Sequence, residues 1–186
     1  MSTRATVTFR DKYGIAHVYK HHDGYPRHDG GWGIIPTLAY FFKLNKKYRG
    51  KVTCLDDATR LAAQFTAFLF SFPEYGPLGA KANMTNIPKW LTDGIRILDE
   101  ASGDTAYHYV IDCEHAGTMP TVTVFTEPLT NQEIKDGTYK QKTPHLTYKN
   151  ILTQKIPLKE KWDESLRHAT VPSFEIHMDE LREKLK

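Results

Sequence analysis

An apolar stripe at helical spacing places the strongest constraint on how this chain can fold. The stripe consists of large side chains at i, i+4, i+7, i+8 and i+11, which are Leu61, Phe65, Phe68, Leu69 and Phe72. This spacing predicts an amphipathic helix over 57–72, and Asp56 is placed to cap its first turn. Because the stripe must be buried against a flat apolar surface, we expect a β-sheet to pack beneath it.

Segments that alternate apolar and polar residues supply the strands of that sheet. Residues 5–10 and 15–21 alternate around a turn at 12–14, so residues 4–21 are predicted to form an antiparallel hairpin. The remaining predicted elements are a helix over 35–45, a short strand at 95–98, and strands at 105–112 and 121–126.

The chain of 186 residues has the length of one domain. We expect an α+β fold in which an antiparallel sheet of four to five strands is covered on one face by two helices. After residue 127, lysine becomes frequent and proline interrupts the periodicity. We therefore predict a core domain over 1–127 and an extended C-terminal appendage over 128–186 that ends in a short amphipathic helix.

Composition narrows the classes of function. A net charge of +3, from 25 basic and 22 acidic residues, does not indicate nucleic acid as a partner. No apolar run approaches the roughly 20 residues of a membrane span, and the first residues lack a signal peptide, so we expect a cytoplasmic protein without a membrane partner. Cys54 and Cys113 are isolated, and the sequence indicates no cofactor and no metal site.

Histidines and aspartates are concentrated where the first hairpin ends. His21, His22 and Asp23 precede Gly24 and Pro26. Imidazoles and carboxylates in a loop can bind a ligand, but their spacing here fits no metal motif. The favoured interpretation is structural: His22 and Asp23 hydrogen-bond the backbone of the turn, while His17 fills a sheet position.

A second interpretation places this loop in a ligand site. The strands at 105–112 and 121–126 are predicted to form a second hairpin or meander. If the two hairpins are neighbours in one sheet, His17, Tyr19 and His21 can approach His108, or Tyr107 and Tyr109 on the opposite face. Imidazoles and aromatic faces suit a nucleotide, although cross-strand packing of rings explains the same pattern. The residues predicted to bind a ligand are His21, His22, Asp23, Tyr25 and His108.

Two short motifs are candidates for catalysis. His145-Leu146-Thr147-Tyr148 and His168-Ala169-Thr170-Val171 both follow the pattern His-apolar-Thr-apolar. The pattern resembles that of the two-histidine phosphoesterases, which implies histidines acting as acid and base and threonines holding phosphate oxygens. The catalytic candidates are therefore His145, Thr147, His168 and Thr170. The motifs lie too close together for two separate lobes, and Pro144 and Pro172 weaken the expectation of core strands.

Basic and aromatic residues mark candidate interaction surfaces. Lys46, Lys47, Tyr48 and Arg49 are predicted to lie in the connection between the two helices, where they would contact an acidic partner or remain a solvated loop. Trp162 lies in the predicted appendage, where an aromatic side chain needs a partner to cover it.

The first half of the chain carries a recognisable pattern. A strand with Arg4-Ala5-Thr6 is followed by His21-His22-Asp23-Gly24-Tyr25-Pro26 and a glycine-rich entry to a helix, and 107–112 looks like a second signature strand. Over residues 1–112 this resembles a family of small phage and mobile-element proteins for which no activity is established. The resemblance implies an accessory role in the cytoplasm of a bacterial host and no set of catalytic residues.

These observations favour a binding protein over an enzyme. We expect stoichiometric binding of a host protein, such as a defence or regulatory factor, or of a small nucleotide. The alternative is a histidine-dependent hydrolase of phosphodiesters or nucleotides. The hydrolase requires at least two histidines converging on one pocket, whereas the binder requires an exposed apolar or charged patch.

Overall fold

The computed structural model describes residues 3–22, 24–27, 33–49, 57–71, 94–113 and 120–154. All of them except Ser71 belong to one compact unit. The predicted terminal helix and the second half of the predicted appendage lie outside the described residues.

The described strands form one six-stranded mixed sheet. They are β1 (Ala5–Arg10), β2 (Ile15–Lys20), β3 (Arg96–Leu98), β4 (Tyr107–Asp112), β5 (Thr121–Phe125) and β6 (Leu146–Tyr148). The strand order is β3-β2-β1-β4-β5-β6, with β1 and β4 parallel and every other neighbouring pair antiparallel.

The α+β class is therefore confirmed, but the antiparallel sheet of four to five strands is wrong in two respects. The central β1 and β4 run parallel because the chain between them makes a long crossover through two helices, as a parallel pair requires. The sixth strand, β6, lies in the segment predicted to be an appendage. The boundary at residue 127 itself stays a prediction.

The two long helices are α1 (Ile34–Arg49) and α2 (Ala58–Ser71). Helix α2 begins at a capping aspartate, because Asp57 Oδ1 accepts a hydrogen bond of 2.8 Å from the Arg60 backbone N–H. Asp56, the predicted cap, lies outside the described residues. Helix α1 continues beyond the predicted end at Asn45, so Lys46 and its neighbours belong to a helix and not to a connection.

One face of the sheet packs against α1 and α2. Every second residue of β1, at positions 5, 7 and 9, is fully buried in this core. Leu61 and Phe65 of the predicted stripe are fully buried there too, and the Phe65 ring lies edge-on to Phe9 with centroids 5.7 Å apart. The expected packing of an amphipathic helix on a sheet is confirmed.

The other face of the sheet is also covered, which corrects the expectation of one covered face. A short helix, α3 (Asn131–Asp136), and a 3-10 helix, Thr138–Gln141, lie over it and bury Ile134 and Tyr139 in a second core. Helix α3 begins with a capping box, in which the Thr130 and Glu133 side chains each bind the other's backbone N–H. Because this layer excludes water, the polar residues Thr6, Thr8 and Arg10 of β1 are buried as well.

Candidate functional site

A row of hydrogen-bonded side chains, which we call the histidine seam, crosses the second face of the sheet. Thr8 Oγ1 lies 2.7 Å from His17 Nδ1 and 2.7 Å from His108 Nε2, so one hydroxyl joins two imidazoles from different strands. At the far ends, His17 Nε2 lies 2.9 Å from Asn131 Oδ1, and His108 Nδ1 accepts from the Leu129 backbone N–H at 3.1 Å. The seam therefore ties β1, β2 and β4 to the start of α3.

The Leu129 N–H fixes the direction of every hydrogen bond in the seam. A backbone amide can only donate, so His108 Nδ1 is unprotonated and Nε2–H donates to Thr8. The Thr8 hydroxyl then donates its own proton to His17 Nδ1, which leaves His17 Nε2–H to donate to Asn131. Both rings are consequently neutral and carry the proton on Nε2.

Burial maintains this neutral state. His17 is 1% exposed and His108 is fully buried. Loss of hydration, the largest cause, and the neighbouring His17 together lower the pKa of His108 to about 3. Burial likewise lowers the pKa of His17, against the opposing hydrogen bond to Asn131 and the charge of Glu100.

A second polar contact holds the other end of α3. Arg10 donates from Nε to the Ile134 carbonyl at 2.8 Å and lies 3.2 Å from Asp112 Oδ1. Asp112 Oδ2 accepts from the Tyr139 hydroxyl at 2.9 Å and lies 3.0 Å from Lys140 Nζ. Although burial opposes it, these donors hold the pKa of Asp112 below its usual value. Helix α3 is thus attached to polar groups of the sheet at both ends.

The loop after β2 explains the glycine of the sequence motif. The Tyr25 and Pro26 carbonyls accept the first N–H groups of α1, from Ile34 at 2.9 Å and Ile35 at 3.1 Å. Gly24 lies directly on β1, and its carbonyl accepts a 2.7 Å hydrogen bond from the Tyr109 hydroxyl. The backbone of the motif therefore joins the start of α1 to the sheet, while the predicted hydrogen bonds of the His22 and Asp23 side chains stay predictions.

Replacing Gly24 with alanine is expected to lower the free energy of unfolding by about 1–3 kcal/mol, since overpacking at a fixed backbone forces neighbours to move. A Cβ at this position would lie 2.8 Å from the Thr3 carbonyl oxygen and 2.9 Å from the Ala5 amide nitrogen. Urea denaturation measures the change. Gly103→Ala is the matched control, because a Cβ there meets nothing within 4 Å, and equal stabilities of the two variants would contradict the packing argument.

Three rings from separate segments form a row, which we call the aromatic strip. The Tyr25 and Tyr107 ring centroids lie 6.3 Å apart, and those of Tyr107 and His145 lie 6.0 Å apart. Tyr25 and Tyr107 are half-buried and His145 is exposed. The strip lies at the end of the sheet where β1 and β4 begin, because Tyr107 is level with Ala5 in the parallel pair.

His21 and His22 lie at the same end of the sheet, directly after β2. Their rings meet edge-on with centroids 4.6 Å apart, and His21 Nδ1 lies 2.8 Å from the Tyr19 hydroxyl. Partial desolvation and the nearby charges of His22, Arg4 and Arg96 lower the pKa of His21. Of the two arginines, Arg4 is paired with Asp104, and the Arg96 guanidinium lies over the Tyr19 ring, 5.9 Å from its centroid.

The structure brings only some of the predicted site residues together. As expected for neighbouring hairpins, His17 approaches His108, with ring centroids 6.5 Å apart. His108 is fully buried and accepts from the Leu129 N–H just before α3, whereas His22 is exposed. Asp23 lies outside the described residues.

The remaining candidates lie apart from these groups. His145 lies directly before β6 and Thr147 within it; both side chains are exposed, and β6 is an edge strand of the described sheet. Their predicted catalytic partners His168 and Thr170, and the predicted surface residue Trp162, lie outside the described residues. Lys46 is exposed on α1, and the side chains at 47–49 are likewise outside the description.

Sequence reasoning missed Thr8 and Asn131, which complete the seam. The alternation of residues 5–10 predicts that Thr8 faces away from the helical core, and only the second layer makes that position buried. The signal for this layer was present as Thr130-Asn131-Gln132-Glu133, whose Thr-x-x-Glu pattern is that of a capping box.

Comparisons with known proteins matched the chain to no family model, no curated protein and no solved structure. In the described part of the chain, no helix is long and apolar enough to cross a membrane. Within the same residues, no group of three or more His, Cys, Asp or Glu side chains is arranged to hold a metal ion.

Proposed function

We propose that this protein acts by stoichiometric binding of a host protein, in a phage or mobile-element setting, and not by turnover of a substrate. The observation that supports the proposal is the state of the histidine seam. Both ring nitrogens of His17 and both of His108 already have hydrogen-bond partners, and the two rings are buried. A general acid or base must reach its substrate, and neither ring has a nitrogen left for that contact.

The seam supports binding in a second way, because it is a device for rigidity. It fixes α3 to three strands through directional, buried hydrogen bonds, which hold a fold to a single arrangement. A rigid scaffold loses little conformational entropy when it binds a partner. In this role the two buried histidines stabilise the fold that presents the binding surface, and they do not take part in catalysis.

A small nucleotide is the second candidate ligand, and the aromatic strip is the observation that favours it. Tyr25, Tyr107 and His145 present ring faces and edges to which a planar base can stack. The Arg96 guanidinium, which lies near His21 and over the Tyr19 ring, suits a phosphate group. We expect such a ligand to be bound and released unchanged.

Capture from a bacterial lysate tests the proposal. The tagged protein is expected to retain one host protein at about one-to-one stoichiometry, measured by quantitative mass spectrometry on the eluted proteins and on small molecules released by denaturation. An unrelated bait with the same tag is the control. A lysate from which neither a protein nor a small molecule is retained would remove the binding function.

An activity assay separates the hydrolase alternative. The purified protein is expected to leave cyclic phosphodiesters and nucleoside triphosphates intact. Turnover that disappears in His145→Ala would establish a histidine-dependent hydrolase and overturn the proposal. Turnover that persists unchanged in His145→Ala would leave that residue out of the chemistry and would still contradict binding without turnover.

A further inference from the structure

Hydrogen bonds of one side chain, Asp11, stabilise the short turn between β1 and β2. Asp11 Oδ1 accepts from the backbone N–H groups of Tyr13 at 2.6 Å and Gly14 at 2.8 Å, and the Asp11 N–H donates to the Gly14 carbonyl at 3.0 Å. The other carboxylate oxygen, Oδ2, accepts from the N–H of Ala58 at 2.8 Å, the first residue of α2. One side chain therefore closes the turn and attaches it to a helix.

This fixed turn presents an aromatic side chain to solvent. Tyr13 is 82% exposed, compared with 64% for Ile97, the other exposed large apolar residue of the described chain. The Lys12 ammonium lies over the Tyr13 ring, 4.6 Å from its centroid. A tyrosine on a rigid support offers large contact area for little loss of side-chain entropy, which is why tyrosine is enriched in the binding hot spots of interfaces.

The charges around Tyr13 define what it can contact. Lys12 and, on the first turn of α2, Arg60 are exposed, whereas the Asp11 carboxylate is directed inward onto backbone N–H groups. Arg60 Nε lies 3.9 Å from Asp57 Oδ2, so this guanidinium is paired with a carboxylate at the start of its own helix. The Lys12 ammonium is therefore the cation that lies against the ring, and an aromatic ring beside a cation is complementary to an apolar pocket with an acidic rim.

We propose that the hairpin tip, Lys12 and Tyr13 supported by Asp11, is the contact through which this protein binds an acidic surface of its protein partner, with Tyr13 inserted as the anchor. The inference rests on the proposed function and specifies where the partner docks. It separates that surface from the aromatic strip, because the tip follows the last residue of β1 whereas the strip is level with its first. The length of a six-residue strand, about 20 Å, lies between them.

Affinity measurements with the captured partner test the inference. Tyr13→Ala is expected to weaken binding at least tenfold, Tyr13→Phe less than threefold, and Lys12→Glu at least tenfold at low ionic strength, with a smaller effect in high salt. Ile97→Ser removes an exposed apolar side chain elsewhere and is expected to bind as the wild type does. The melting temperature of Tyr13→Ala should remain that of the wild type, since the exposed ring contributes little to the core.

Each other outcome identifies which proposal fails. Full affinity in Tyr13→Ala together with loss in Tyr107→Leu would overturn the hairpin tip as the docking site and leave stoichiometric binding intact. Concentration-dependent dimerisation that Tyr13→Ala abolishes would show a second copy of this chain as the occupant and overturn the acidic host partner. Capture of no partner by the wild type would overturn both proposals.

Discussion

Replacement of Thr8 by valine is expected to lower the free energy of unfolding by about 2–5 kcal/mol, because it leaves two buried polar groups without partners. Valine has the shape of threonine but neither accepts from His108 Nε2–H nor donates to His17 Nδ1. Both ring atoms are sealed from water, so hydration cannot replace the lost hydrogen bonds. Denaturation in urea, monitored by tryptophan fluorescence and circular dichroism, measures the change.

The same strand provides a matched control. Thr6 is fully buried, two residues before Thr8 on the same face, and in the described structure its hydroxyl has no hydrogen-bond partner. Thr6→Val is therefore expected to be neutral or stabilising, within about 1 kcal/mol. Thr8→Ser retains the hydroxyl and should lose less stability than Thr8→Val. If Thr6→Val and Thr8→Val cost the same, the seam contributes nothing specific.

The contrast between these threonines shows how far the sequence constrains the fold. The alternation of residues 5–10 predicts a strand and assigns positions 5, 7 and 9 to the helical core, where the structure has them. It assigns Thr6 and Thr8 only to the opposite face. Whether that face is wet or dry depends on α3, a six-residue helix too short to show a hydrophobic period.

The sequence also did not determine which strands that are distant in the chain pair with each other. The hairpin turn sets the register of Thr8 against His17, since the two strands are adjacent in the chain. His108 reaches Thr8 only because β1 and β4 pair in parallel, across a crossover that contains two helices. No local pattern records that choice, so the sequence identified both histidines of the site without the hydroxyl that joins them.

The catalytic pattern in the sequence stays a prediction. His145 lies directly before β6 and Thr147 within it, both exposed, whereas His168 and Thr170 lie outside the described residues. A short motif specifies chemistry only when the surrounding elements bring its partners together. The seam was inconspicuous in sequence and is well defined in three dimensions, because hydrogen-bond geometry, unlike a motif, depends on neighbours distant in the chain.

The neutral histidines also predict how stability depends on pH. In the unfolded chain a histidine takes up a proton below its ordinary pKa of 6.5, whereas burial lowers the pKa of His108 in the folded protein to about 3. Between these values the unfolded state binds more protons, so the free energy of unfolding falls as pH falls, by up to about 1.4 kcal/mol per pH unit for His108. His17, whose pKa is lowered in the same direction, adds to the slope.

Urea denaturation at pH values from 7 to 5, compared between the wild type and His108→Gln, isolates the contribution of His108, because His21, whose pKa is also lowered, is present in both proteins. The carboxylates with lowered pKa values act in the same direction, but Glu133, held near pKa 2 by its contacts with Lys142 and Thr130, loses its contribution only below its ordinary value of 4.5. His108→Gln removes one titrating group, and its stability should fall less steeply over the same range. A wild-type stability that is flat or rises between pH 7 and 5 would contradict the neutral seam.

Nitrogen chemical shifts of the imidazole rings test the same state directly. The donor sequence that starts at the Leu129 N–H requires the Nε2–H tautomer in both His17 and His108. Two-dimensional ¹H–¹⁵N spectra are expected to show both rings neutral and in that tautomer at pH 7, and to show His108 still neutral at pH 5. An Nδ1–H tautomer for His108 would be incompatible with acceptance from Leu129, and the direction of the whole seam would then be wrong.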